Sequence, residues 1–341
     1  MPLSTVGDTL GPEITSWLIN SDETKGSSTD SGIHAVVSQY DANVQQVQYN
    51  ATDVYVNATG VPSYDVGPWL DGNPAVATDR DWLFQLPLDP SEKTGTKTTT
   101  PLGNIGVFVN GVAIYNAQDA QSFNNQGVWY QNAVVFEEDG MDIALGHPSP
   151  VQGGGNIGSY VVGQYHHHQR PVSLLSQLGD DSASHSPLVG FAFDGFPVYG
   201  PYGYDNSDGT GDVVRIESGY QLRAGLRPPP PMGGPGAAFD GSYIEDHEYL
   251  EELGHLDEHN GRFGVTPEYP GGIYHYVATI DATGESAYPY IIGPEYYGVV
   301  QTNNLDQSVV VPGDVVIYQV DVPEPSAIAL LLGIAFIRRR V

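Results

Sequence analysis

Three consecutive histidines, His166-His167-His168, follow Tyr165, and two more flank them: His147 in Leu-Gly-His-Pro and His185 in His-Ser-Pro-Leu. On a strand, alternate side chains share a face, so His166 and His168 point one way and Tyr165 and His167 the other. Residues two apart are separated by roughly 6.5–7 Å, a span from which two imidazoles can converge on one ion. Neutral imidazole is a ligand for Zn²⁺, Cu²⁺ and Fe²⁺ alike. The pattern therefore predicts a divalent-metal site with His166 and His168 as its core and His185 or His147 completing it. Were such a centre catalytic, activation of water or oxygen would be its class of chemistry.

Other constellations carry less. His247, Glu251 and His255 fall at i, i+4 and i+8, the spacing of one helical face, but the order of residues is not the His-Glu-x-x-His of metalloproteases. An acidic, solvated helix face is the expectation there. His275, between Tyr274 and Tyr276 on an expected strand, reads equally well as a packed core residue or as a ligand. No Gly-x-Ser-x-Gly elbow is present. The Gly153-Gly154-Gly155 run sits in a loop without the strand–helix context that a nucleotide-binding turn requires. The chain has no cysteine, which removes disulfides, zinc–thiolate sites and thiol catalysis together.

The elements that must position these residues are short. Glycine (42) and proline (26) are spread along all 341 residues, favouring brief strands joined by many turns. Val44–Tyr49, Asp53–Asn57 and Trp82–Leu86 read as strands, whereas Ala117–Asn125 and Tyr243–Leu253 could be helical. One internal echo stands out. Ile105-Gly-Val-Phe-Val-Asn110-Gly111-Val-Ala-Ile-Tyr115 aligns without a gap on Val189-Gly-Phe-Ala-Phe-Asp194-Gly195-Phe-Pro-Val-Tyr199. Asn-Gly and Asp-Gly between apolar runs are strong hairpin signals, because both central residues of the tight turn need positive φ. Two similar hairpins are expected, and Asp194 is accounted for as a turn residue. The predicted fold is mainly β: a sandwich-like or barrel-like single domain over residues 13–320, with few short helices, after an unstructured start at 1–12.

Forty-one acidic residues against twelve basic ones give a formal charge of −29. Such a surface repels phosphate backbones and excludes nucleic acid as a partner. It suits a solvated exterior or contact with extracellular polysaccharide through bridging cations. The 22 tyrosines fit carbohydrate stacking and fill β cores equally well.

The last twenty residues hold Pro323-Glu324-Pro325, an apolar run from Ser326 to Ile337, and Arg338-Arg339-Arg340. That run would make a helix of roughly 18 Å, short of the ~30 Å bilayer core. The arrangement resembles the PEP-CTERM sorting signal, on which exosortase-type machinery acts. The resemblance implies an exported protein at the bacterial cell surface or in the extracellular matrix, with transient membrane association through the tail (322–341). It also implies an N-terminal signal peptide, which residues 1–8 do not resemble.

Over residues ~100–300 the chain resembles the YHYH domain family. The carrying motifs are Tyr165-His166-His167-His168, His185-Ser-Pro-Leu, Phe193-Asp-Gly-Phe-Pro-Val-Tyr-Gly-Pro-Tyr-Gly203 and Leu256-Asp-Glu-His-Asn-Gly-Arg262. His167 replaces the second tyrosine of the family's namesake motif, on the face opposite the expected ligand pair. The resemblance implies no particular activity.

Overall fold

A computed structural model describes residues 10–29, 35–36 and 40–319; the sorting-signal residues Pro323–Pro325 and Arg338–Arg340 lie outside them. The chain is predominantly β, a single sandwich-like domain built on a ten-stranded sheet. Its strands are β1 (Ala75–Ala77), β2 (Asn104–Phe108), β3 (Ala113–Tyr115), β4 (His147–Pro150), β5 (Asn156–Ile157), β6 (Tyr160–His167), β7 (Leu188–Ala192), β8 (Pro197–Tyr199), β9 (Gly261–Gly264) and β10 (Ile273–Val277). The main path runs β4-β6-β3-β2-β7-β8-β10-β9, with β1 and β5 pairing to β6.

That order is a palindrome. The two expected hairpins form as β2–β3 and β7–β8, with Gly111 (φ 78°) and Gly195 (φ 88°) supplying the left-handed turn residues. They meet back to back: Gly106 pairs with Ala192, Val107 with Phe191 and Phe108 with Gly190. Val107 and Phe191 are equivalent in the echo, so an approximate two-fold axis passes between them. Outside the hairpins, β3 pairs in parallel with β6 (Ile114 with His167), as β8 does with β10 (Val198 with Tyr276). Each of these inner strands then pairs antiparallel with an edge strand, β4 or β9. The duplication thus spans four strands per half, beyond the hairpins legible in the sequence.

The equivalence reaches individual hydrogen bonds. Asp142 Oδ1 accepts the amides of Ala144 and Gly146, and both its oxygens accept Tyr165 Oη. In the other half Asp257 Oδ1 accepts the amides of His259 and Gly261, and both its oxygens accept Tyr274 Oη. Leu145 (φ 62°) and Asn260 (φ 63°) take the same left-handed turn position.

A four-stranded sheet, Val316–Ile317, Val44–Tyr49, Asp53–Ala58 and Trp82–Pro87, covers the hairpin turns. A Cβ on Gly111 would come within 2.4 Å of Ala58 Cβ, and one on Gly195 within 2.6 Å of Pro87 Cγ. One hydrophobic core joins both sheets through residues such as Phe84, Leu86, Phe108, Phe191 and Phe193.

Two expected helices are absent. Gln118–Ser122 is a strand ending in a 3₁₀ turn, Phe123–Asn125. Tyr243–Leu253 starts as the 3₁₀ turn Ile244–Asp246 and continues as the strand His247–Tyr249, so His247, Glu251 and His255 share no helical face. The strand is held by antiparallel pairing with Tyr220–Leu222, Tyr249 opposite Tyr220 and His247 opposite Leu222. The buried Asp246 carboxylate, at the end of the 3₁₀ turn, is held by the Arg227 guanidinium (Nε to Oδ1, 2.7 Å) and by the amides of Gly241 and Tyr243. Among the described residues no helix is long and apolar enough to cross a membrane.

Candidate metal centre

β6 and its two neighbours assemble the site. His166 faces His147 directly across the β4–β6 pair. His168, just past the end of β6, shares the face of His166. From the far side of the pocket comes Glu137, at the C-terminal end of the short helix Ala133–Phe136, whose first turn is capped by Asn132 Oδ1 accepting the Val134 amide.

Four donor atoms converge. Nε2 of His166 lies 3.0 Å from Nε2 of His147 and 3.1 Å from Nε2 of His168. Glu137 Oε2 is 2.8 Å from His147 Nε2 and 3.6 Å from His168 Nε2. The three histidines are buried and Glu137 is half-buried. Tyr115 stacks on the His166 ring with centroids 3.9 Å apart, fixing its plane.

Protonation makes this arrangement unusual. His166 Nδ1 contacts the Gln164 carbonyl at 3.1 Å and His168 Nδ1 the Asn116 carbonyl at 2.6 Å. A carbonyl can only accept, so each Nδ1 carries the proton and each Nε2 presents a lone pair. Burial, reinforced by the neighbouring imidazoles, holds the pKa of His166 well below its ordinary value, and burial brings that of His168 down to about 4. Two lone pairs therefore face each other at 3.1 Å with no proton between them.

Of the histidines expected at the site, His166, His168 and His147 come together. His185 takes no part: it lies in the other half, against the rings of Tyr199 (5.2 Å) and Tyr204 (4.9 Å), with Nδ1 donating to the Ser186 carbonyl. Glu137 is the donor the sequence reading missed; its only signal was an acidic run, Glu137-Glu138-Asp139, upstream of His147. His167 faces the opposite side as expected, its Nδ1 donating to Leu145 O at 2.9 Å. His275 occupies in the second half the place of His166, with its Nδ1 likewise donating to a carbonyl two residues back, that of Ile273. There Arg262 stands for His147 and Val277 for His168. Among the described residues, only the first half gathers three or more ligand-type groups.

The family model described as YHYH protein matches residues 83–288, well over half of the chain. The chain belongs to the YHYH family. The matched span contains every strand of both repeated halves, so in this YHYH protein the family region and the two-fold sheet coincide. No curated protein and no solved structure matches it.

Glu137 and His147 open onto a cleft of about 600 Å³ whose wall includes Asp119, Gln121, Gln131 and Phe136. His166 and His168 lie beneath, at 2% and 4% exposure. The donors of this YHYH protein are therefore graded, from sealed imidazoles to a carboxylate in contact with solvent.

Proposed function

We propose that this protein is a divalent-metal-binding member of the YHYH family, with Glu137, His147, His166 and His168 as ligands. The observation that carries the reading is the 3.1 Å approach of the His166 and His168 lone pairs, whose tautomers are fixed by the Gln164 and Asn116 carbonyls. A cation between them turns that repulsion into coordination. Three imidazoles and one carboxylate suit Zn²⁺, Cu²⁺ or Fe²⁺. The carbonyls of Gln164 and Asn116 supply the outer hydrogen bonds that orient metal-ligating histidines.

A metal held there would supply Lewis acidity and activate a bound water. The residues' own part is positional: β6 and the residue just past its end hold two donors, Tyr115 fixes a ring plane, and the cleft admits a ligand on the Glu137 side. The test is elemental analysis of protein purified without a histidine tag, beside a His166→Ala/His168→Ala variant. Wild-type protein should hold close to one equivalent of a transition metal and the variant almost none. Equal, substoichiometric content in both would overturn the reading.

The cellular reading rests on Pro323-Glu324-Pro325 and Arg338-Arg339-Arg340: export to the cell surface or matrix, with the tail handed to exosortase-type machinery. Deleting residues 322–341 should change the fraction in which the protein is recovered after cell fractionation.

A further inference from the structure

We infer that the cleft over the metal centre, together with the aromatic rim beside it, binds a neutral, hydroxyl-rich chain: an oligosaccharide without acidic groups. This inference rests on the metal reading for the floor of the site, but its walls and rim are independent of any ion.

The wall chemistry selects the ligand class. Gln121 and Gln131 present amides, each able to donate and accept, beside the Asp119 carboxyl, which hydrogen-bonds Glu137. Planar groups of this kind match the paired hydroxyls of a sugar ring. Among the described residues no lysine or arginine lines the cleft, whereas Asp71, Asp119 and Asp139 do. A phosphorylated or uronate ligand would meet these wall carboxylates with no basic side chain to offset them, and the proposed ion on the floor already faces Glu137. A purely apolar ligand would leave the amides unpaired.

The rim adds stacking surface. Phe136, next to the ligand Glu137, is 47% exposed and packs against Tyr243 with centroids 6.2 Å apart. Tyr243 in turn meets Trp129 at 6.3 Å, and Trp129 lies stacked beside Phe239 at 6.4 Å. All but Phe136 are half-buried, so a continuous run of partly exposed rings leads away from the metal-side cleft. Two chain excursions build it: Trp129 and Phe136 from the first half, Phe239 and Tyr243 from the second. The strand Tyr130–Asn132 and the Gln131–Tyr243 bridge tie them together. The guanidinium beside these rings, that of Arg227, lies 5.0 Å from the Tyr243 centroid and is already paired with Asp240 and Asp246. Aromatic faces next to planar polar groups suit the apolar faces and hydroxyl edges of successive sugar rings.

The experiment uses the full chain, loaded with its metal, in titration calorimetry against neutral hexasaccharides (β-gluco, α-gluco and β-manno) and hexagalacturonate. At least one neutral chain should bind, with the galacturonate at least tenfold weaker. Phe136→Ala, Phe136→Leu and Trp129→Ala should each weaken binding about three- to tenfold, the worth of one aromatic contact, with metal content unchanged. Phe136→Leu keeps an apolar side chain and removes the ring, which separates stacking from packing. Absence of neutral binding by metal-replete protein, equal binding of the galacturonate, or unchanged binding in all three variants would each overturn the inference. Neutral binding lost in Phe136→Leu, by a wild-type protein devoid of metal, would leave the sugar surface standing and overturn the metal centre alone.

Discussion

Asp194 and Asn110 sit at the same place in their hairpins, yet their side chains carry different loads. Asn110 Oδ1 accepts the Val112 amide, at 3.2 Å. Asp194 accepts the Phe196 amide and, through Oδ2, Tyr276 Oη (2.6 Å) and the Gly298 amide (2.8 Å). The turn geometry was legible in the sequence; the buried hub was not, because its partners lie 82 and 104 residues away. Asp194→Asn sets an amide NH₂ against two donors and should cost about 2 kcal/mol or more, read from the urea midpoint at pH 7. The buried histidines set the acid response. Burial brings His167 and His275 down to about 3, and His168 and His247 to about 4. Each stays neutral when folded but takes a proton when unfolded below its ordinary pKa of 6.5. Their stabilising contribution is therefore complete above pH 6.5 and is lost as pH falls toward the folded values. Asp194 and Asp306, each pushed up to about 6 by burial, run the other way: their contribution is complete below 3.8 and is lost as pH rises through 6. Four groups outweigh two, so the urea midpoint of metal-free protein should fall between pH 7 and pH 5. A midpoint that holds or rises over that interval would contradict this balance.

At the level of elements, the two acidic loops Asp142–Gly146 and Asp257–Gly261 act as matched clasps. Each bonds its own amides and receives a tyrosine hydroxyl from the neighbouring inner strand. A Cβ on Gly146 would sit 2.4 Å from Tyr165 Oη, and one on Gly261 would sit 2.3 Å from Tyr274 Oη. Gly146→Ala and Gly261→Ala should therefore destabilise by similar amounts, about 1–3 kcal/mol each, measured as paired shifts in denaturant midpoint. A large effect in one and none in the other would deny the equivalence. The hairpins were recognisable because their copies align without a gap. The clasps were not, because the segments joining them to the hairpins differ in length: Asn110 and Asp142 are 32 apart, Asp194 and Asp257 63 apart. Glu137 escaped for a related reason. Its approach to His147 depends on how the capped helix Ala133–Phe136 folds back over β4, and no local spacing encodes that.

For the molecule as a whole, the duplication is symmetric in scaffold and asymmetric in chemistry. His147, His166 and His168 have Arg262, His275 and Val277 as counterparts, so one half holds the proposed ion and the other folds the same way without it. Chelation should lower the melting temperature, since a ligand at a hundredfold excess over its Kd contributes about 2.7 kcal/mol. The loss should be local. Hydrogen exchange should quicken around Ala133–Phe136 and His147–Pro150 and stay unchanged at Gly261–Gly264; equal change in both halves would argue against a site confined to the first. The mainly β class was legible from glycine, proline and alternating short runs, whereas the pairing of halves needed contacts that no local pattern specifies. The turns that anchor those halves also govern how the protein ages. Asn110-Gly111 and Asn260-Gly261 have the sequence most prone to spontaneous deamidation through a cyclic imide, yet both asparagines are at 0% exposure. Gly111 N donates to Phe108 O, Gly261 N donates to Asp257 Oδ1, and Asn260 Nδ2 is held by the carbonyls of Val277 and Ile291. Ring closure must wait for each turn to open. The slow gain of one mass unit at each position is thus a chemical clock, one per half, that counts how often the native turn comes undone.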